Sequence, residues 1–210
     1  NIVPSLGTAI GSSGDRPREL AELAGIIARG GVRAPIRTLT SLDVGRDTPY
    51  ETRWAPMAGP TERVLSVETA AVLRDAMVDV VENGTARRAR GALRDEDGTP
   101  LQLGGKTGTG DNRFRVFAPG GALTGSRVVN RTATFVFFAG DRYFGVVVAY
   151  VPGQEAEGYR FTSGLPSQLL QTLGGRLAAV EAAEAARRAE GPSVDPSPSD
   201  PSGPGPGAGD

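Results

Sequence analysis

Two apolar runs in the second half of the chain constrain its fold more than any other feature. Residues 132–139 and 143–151 are rich in aromatic and β-branched side chains and flank Gly140-Asp141-Arg142, the kind of short break that closes a tight β-hairpin. A strand with one wet face alternates apolar and polar residues. These two are apolar at nearly every position, so both faces of their sheet must be covered. Helices are the available cover. Ser66 stands at an N-cap position before an amphipathic helix over 67–82, with Ala70, Leu73, Met77, Val80 and Val81 at apolar positions and Asn83-Gly84 as its stop. An earlier helix starts around Asp15-Arg16-Pro17, carries Leu20, Leu23, Ile26 and Ile27 at helical spacing, and ends at Gly30-Gly31. A third follows Ser163 and Pro166 through Gln168, Leu169, Leu170 and Leu173, is loosened at Gly174-Gly175, and continues as an Ala/Glu/Arg-rich extension over 176–190. The pattern predicts an α+β fold, an antiparallel sheet covered by helices.

The remaining segments are less regular. Residues 32–42 read as an extended edge segment interrupted by Pro35, and 43–61 as an irregular connection in which Trp54 serves as a packing anchor. Residues 85–93 read as a further short helix, and 110–131 as a long loop apart from 114–117, placed to wall a site. The opening 1–13 is loop-like. Residues 191–210, almost entirely Pro, Gly, Ser and Asp, read as a disordered tail. The main domain is thus expected over 1–175.

Composition removes whole classes of chemistry. With no Cys and no His there is no thiol nucleophile, no imidazole base, no Ser-His-Asp triad and no thiolate or imidazole metal site, so neither a metal nor a cofactor is expected. A formal net charge of -1 gives no footprint for nucleic acid. No apolar run approaches the ~20 residues of a membrane helix. The first residue is Asn1 and no signal-like segment follows it, which reads as a fragment beginning in mid-protein.

Catalysis is left to Ser, Thr, Lys, Tyr and carboxylates, and one residue stands out. Of the 23 basic residues only Lys106 is a lysine. Lysine can lose its proton in a tuned site, whereas arginine does not. It lies in Leu101-Gln-Leu-Gly-Gly-Lys-Thr-Gly-Thr-Gly110. A phosphate-binding loop fails here, because Pro100 occupies the first glycine position and Gly-Thr-Gly-Asp-Asn after Thr107 breaks a helix instead of starting one. As a strand, the segment sends Lys106 to one face and Thr107 and Thr109 to the other, so a common ligand meets them only at an edge. Gly104, Gly105, Gly108 and Gly110 would let another backbone approach that edge. The side chains then offer a cation and two hydroxyls for a carboxylate, and an N–H near Thr109 for a developing oxyanion. A glycine-weakened edge strand without function is the competing reading.

Lys106-Thr107-Gly108 resembles the third signature of the penicillin-binding proteins and serine β-lactamases. The likeness extends to Gly104-Gly105 before it and Thr109-Gly110-Asp111 after it. Val81-Glu82-Asn83-Gly84-Thr85-Ala86, the Gly30-Gly31 helix end and the downstream hairpin and helix add to it. It covers about residues 4–175 and is most similar to the transpeptidase domain of class A, bifunctional penicillin-binding proteins. The resemblance implies acyl transfer on peptidoglycan stem peptides through an acyl-serine, and trapping by β-lactams. It implies catalytic roles for Lys106 and for the Thr109 amide, and substrate binding by Thr107, Gly108 and Thr109.

The departures matter as much. The family's Ser-x-x-Lys is not here, since Leu103 stands three residues before the only lysine, and no Ser-x-Asn occurs. The implied nucleophile lies upstream, in a missing N-terminal part of the same domain, with a membrane anchor and glycosyltransferase domain beyond it. The implied location is the extracytoplasmic face of the bacterial inner membrane. The three expected strands are 101–109, 132–139 and 143–151, the last exposing an apolar edge that makes the chain aggregation-prone. A non-catalytic peptidoglycan- or peptide-binding module is the alternative, and a D,D-carboxypeptidase a third reading.

Overall fold

A computed structural model of the chain describes residues 15–189 except 40, 47 and 58. The opening loop 1–13 and the tail 191–210 expected above lie outside the described residues, as does residue 190. The order of elements is α1 (Pro17–Ala28), β1 (Val32–Arg33), β2 (Leu42–Val44), β3 (Thr52–Trp54), β4 (Glu62–Arg63), α2 (Val67–Glu82), a 3-10 turn (Arg87–Ala89), β5 (Leu103–Phe117), β6 (Leu123–Ala139), β7 (Tyr143–Pro152), a second 3-10 turn (Gln154–Gly158) and α3 (Gly164–Ala189).

The sheet is an antiparallel meander in the order β5-β6-β7. Because side chains alternate across it, consecutive β6 residues feed two different cores. Phe135, Phe137 and Ala139 pack with Val81, Ala86, Ala89, Leu93, Leu103 and Leu170 on one face. Phe138 packs with Ile27 and Ala28, and with half-buried Leu65, Met77, Val78 and Phe144, on the other. α1 therefore covers one face, and α3 with the 86–93 segment covers the second. α2 lies beside β5 and contributes to both cores. Ser66 caps α2 as its position predicts, its hydroxyl accepting the Thr69 N–H at 3.1 Å. Arg74 fastens α2 across the sheet end. Its guanidinium donates to the Ala28 and Gly140 carbonyls at 3.2 Å each and lies 4.8 Å from the Phe138 ring centroid.

Several expectations are corrected. Residues 110–131 are not a loop. β5 and β6 continue through them as a ladder from Asp111↔Arg131 to Phe117↔Leu123, so the next strand begins at Leu123. Cross-strand polar contacts hold this stretch in place of an apolar face: Asn112 Nδ2 to Asn130 Oδ1 at 2.6 Å and Arg113 Nε to Ser126 Oγ at 2.9 Å. The 43–61 connection contains the hairpin β2–β3, while β1 pairs with β4. Trp54 is no packing anchor, its side chain being 55% exposed on β3. The 85–93 segment makes a single 3-10 turn in place of a short helix, with Ala86 and Ala89 fully buried. Gly174-Gly175 does not loosen α3. Its helix is continuous, with Pro166 in its first turn, and a Cβ on Gly174 would lie 1.7 Å from the Ala92 carbonyl oxygen. That glycine permits helix and turn to touch backbone to backbone.

Candidate active site

Lys106, Thr107, Gly108 and Thr109 lie in the first half of β5, which has β6 on one side and, among the described residues, no strand on the other. The preceding glycines have a different job from the one their sequence suggests. A Cβ on Gly104 would stand 2.2 Å from the Phe138 ring and one on Gly105 2.4 Å from the Phe135 ring, and both rings are fully buried. These two glycines receive aromatic rings from β6 and are not openings for a ligand. Gly108 and Gly110, whose nearest neighbours to an added Cβ are 3.9 and 3.7 Å away, are the positions with open space.

Alternation separates the side chains as the strand reading expects. Lys106 is exposed and Thr107 is buried at 9%. The Lys106 ammonium donates to the Thr107 carbonyl at 2.6 Å, so the cation is folded back along the strand. Thr107 Oγ1 stands 2.6 Å from Thr85 Oγ1, and either can donate. Thr109 is exposed, and its Oγ1 accepts the Ser163 N–H at 3.0 Å, which leaves its own O–H able to donate outward. The strand thus offers an exposed cation that lies along it and, at Thr109 on its other face, an exposed hydroxyl.

Thr85 and Ser163 are the partners that sequence reasoning missed. Thr85 follows the Asn83-Gly84 stop of α2 and Ser163 precedes α3, so both signals were helix ends, with nothing local to tie them to β5. A cavity of about 260 Å³ continues the threonine face beyond Thr109, with Asp111, Arg113, Arg131, Glu157 and Arg160 among its walls. The Arg113 guanidinium spans Asp111 at 3.5 Å and Glu157 at 3.4 Å. Arg131 is fixed by two N–H bonds to the Phe161 carbonyl, at 2.9 and 2.7 Å. These arginines fell in the stretch expected to be loop or close to it.

The comparisons with known proteins bear on this geometry. The family profile described as the penicillin binding protein transpeptidase domain matches residues 5–154. No curated protein matches. Among solved structures, penicillin binding protein 3 from Mycobacterium tuberculosis complexed with aztreonam is 22% identical, with a TM-score of 0.48 over 77% of this chain and 34% of that one. The D,D-transpeptidase domain of a peptidoglycan glycosyltransferase from Eggerthella lenta is 21% identical, with a TM-score of 0.48 over 79% of this chain and 32% of that one. The ceftriaxone acyl-enzyme complex of penicillin-binding protein A from M. tuberculosis is 22% identical, with a TM-score of 0.49 over 75% and 32%. The chain therefore spans about a third of the length of the solved structures it matches. With the profile matching well over half of the chain, and the signature it was expected to carry lying on an edge strand of an antiparallel sheet between helices, the chain belongs to the penicillin-binding protein transpeptidase domain family.

Proposed function

We propose that this chain forms one wall of the active site of a peptidoglycan D,D-transpeptidase, the serine nucleophile coming from a part of the domain upstream. In the proposed reaction the serine oxygen bonds to the penultimate D-alanine carbonyl carbon, the C–N bond to the last D-alanine breaks, and the serine proton ends on the departing amine. An amine of a neighbouring stem peptide then attacks the ester, the C–O bond breaks, and the serine recovers a proton. Lys106 supplies a cation that holds the proton-relay hydroxyl and favours the substrate carboxylate. The Thr109 O–H donates to that carboxylate, and its amide forms half of the oxyanion hole. Thr107, expected to bind that carboxylate beside Thr109, serves instead to hold the strand at the right depth through its tie to Thr85, and Gly108 leaves room for the peptide. The observation that supports this best is the exposure of Lys106 and Thr109 on β5, whose outer edge pairs with no strand among the described residues.

Two exposed surfaces support the upstream part as a partner. Leu165, Leu169, Leu173, Leu177 and Val180 recur along α3 at helical spacing and are 37–58% exposed. Among the described residues, no strand pairs with the outer edge of β7. Both surfaces suit the remainder of the same domain. The relation to class A, with its glycosyltransferase domain, and a location outside the cytoplasmic membrane rest on the sequence resemblance.

The test is labelling of the intact parent by a fluorescent penicillin. We expect labelling, and a loss of at least ~100-fold in acylation rate for Lys106→Ala, the size of effect seen when one transition-state donor is removed from other acyl-transfer enzymes. A parent that has Ser-x-x-Lys and Ser-x-Asn yet stays unlabelled, or a Lys106→Ala variant labelled at the parental rate, overturns the reading. The competing reading, a peptide-binding module, predicts stem-peptide binding without labelling.

A further inference from the structure

The outer half of the β5–β6 hairpin has no part in the reaction proposed above, and it displays apolar surface to solvent. β7 ends opposite Asn130, so the five pairs from Arg113↔Val128 to Phe117↔Leu123 form a two-stranded arm. It is roughly 15 Å long. Its base is packed, with Val128 4% exposed and Ala156 2% exposed beside it. Its end is not: Phe114, Val116, Phe117 and Leu123 are 48–58% exposed. Residues 116–126 contain no charge, yet Arg115 and Arg127 bracket them. Over 111–131 four arginines face one aspartate, on a chain whose net charge is -1.

The turn at the tip bonds part of its own backbone. Ala118 N–H donates to the Ala122 carbonyl and Gly121 N–H to the Ala118 carbonyl, both at 2.8 Å. Thr124 Oγ1 donates to the Val116 carbonyl at 3.1 Å, and Pro119 has no N–H to satisfy. Backbone groups stripped of water are costly unless bonded, so a self-bonded turn is suited to leaving water. The charges stand one step behind the apolar end. Arg127 lies across the ring of its cross-strand partner Phe114, 5.2 Å from the centroid, and the Arg115 side chain makes no hydrogen bond or ion pair among the described residues. An apolar end followed by a basic collar matches the order of layers met on entering an anionic bilayer, acyl boundary inside and phosphates outside.

We propose that the arm over residues 113–127 is an interfacial anchor that beds Phe117, Leu123 and the 118–122 turn in an anionic lipid surface, with Arg115 and Arg127 on lipid phosphates. This inference does not depend on the transpeptidase reading. It is tested by floating the purified chain with vesicles through a density gradient, where aggregated protein stays at the bottom and bound protein rises. Vesicles of equal parts phosphatidylglycerol and phosphatidylcholine should carry the protein up, and vesicles of phosphatidylcholine alone should not. Phe117→Ser with Leu123→Ser should lower the partition coefficient at least ~10-fold through lost apolar burial. Arg115→Gln with Arg127→Gln should lower it about 25-fold, near fivefold for each charge. Unchanged melting of either double variant shows that the fold is intact. Equal flotation on neutral vesicles, parental flotation of both double variants, or no flotation of the parental chain overturns the proposal. An acidic protein partner in place of lipid gives the last of these results.

Discussion

β5 is one strand with two unlike halves. From Leu103 to Thr109 it is clamped, with Gly104 and Gly105 under the rings of Phe138 and Phe135, Leu103 in the core, and α2 alongside. From Gly110 onward the same ladder with β6 continues, and the strand is held by cross-strand polar contacts while its apolar side chains face water. The hydrogen-bonded ladder is common to both halves. Only the first half of β5 places a side chain in the main core, Leu103, and that half holds Lys106 and Thr109. The difference separates what keeps a strand a strand from what fixes it in place.

The comparison breaks if the two halves respond alike to the same substitution. Phe138→Ala, which empties a fully buried site, should cost about 3–5 kcal/mol. Phe117→Ala, at 58% exposure, should cost under about 0.5 kcal/mol. Urea denaturation of both variants checks this, and equal losses would mean that the arm is packed in solution. The glycines sharpen the point. Gly105→Ala pushes a methyl group against a buried ring and should cost about 3 kcal/mol, whereas Gly108→Ala, facing open space, should stay within about 0.5 kcal/mol of zero.

The smallest effect concerns the helix that supports the first half alone. The Glu68 carboxyl is held below the usual carboxylate range by its own backbone N–H and then by the Ser66 side chain at the start of α2. A lowered folded-state pKa adds stability that is fully present above the unfolded value and is lost as pH falls through the folded one. Glu68→Gln should therefore slightly reduce the difference between denaturation midpoints measured near neutral pH and in acid. Amide exchange in the arm should not respond. A Glu68→Gln variant with the parental pH dependence removes the helix cap from the account.

The sheet was legible where composition reported burial. Residues 132–139 and 143–151 are apolar on both faces because both faces are covered, and their strand state followed from that. The arm was not legible, for the opposite physical reason. Both its faces meet solvent, so no alternation of apolar and polar residues appears. Gly110, Pro119, Gly120, Gly121 and Gly125 read as loop, although only the turn needs them as breakers. Gly174 misled in the same manner, since its lack of a side chain serves contact with Ala92 and not flexibility. At the proposed site, Lys106 drew notice as the only lysine, and Thr107 and Thr109 as its neighbours in and beside the Lys-Thr-Gly signature. Thr85 did not, because a hydroxyl pair between residues 22 apart leaves no local pattern.

The meander has a consequence for how the Lys106 edge is assembled. Partners across the β5–β6 ladder are 6 residues apart at Phe117↔Leu123, 30 apart at Lys106↔Val136 and 36 apart at Leu103↔Ala139. The chain entropy lost in joining two points rises with the length between them, so pairing is cheapest at the arm and dearest at the site. Each pair formed from the tip inward shortens the loop left for the next. The arm thus lowers the entropic barrier to placing Lys106 opposite Val136, and a chain of the same length whose tip could not pair would have to join those residues through an unassisted loop.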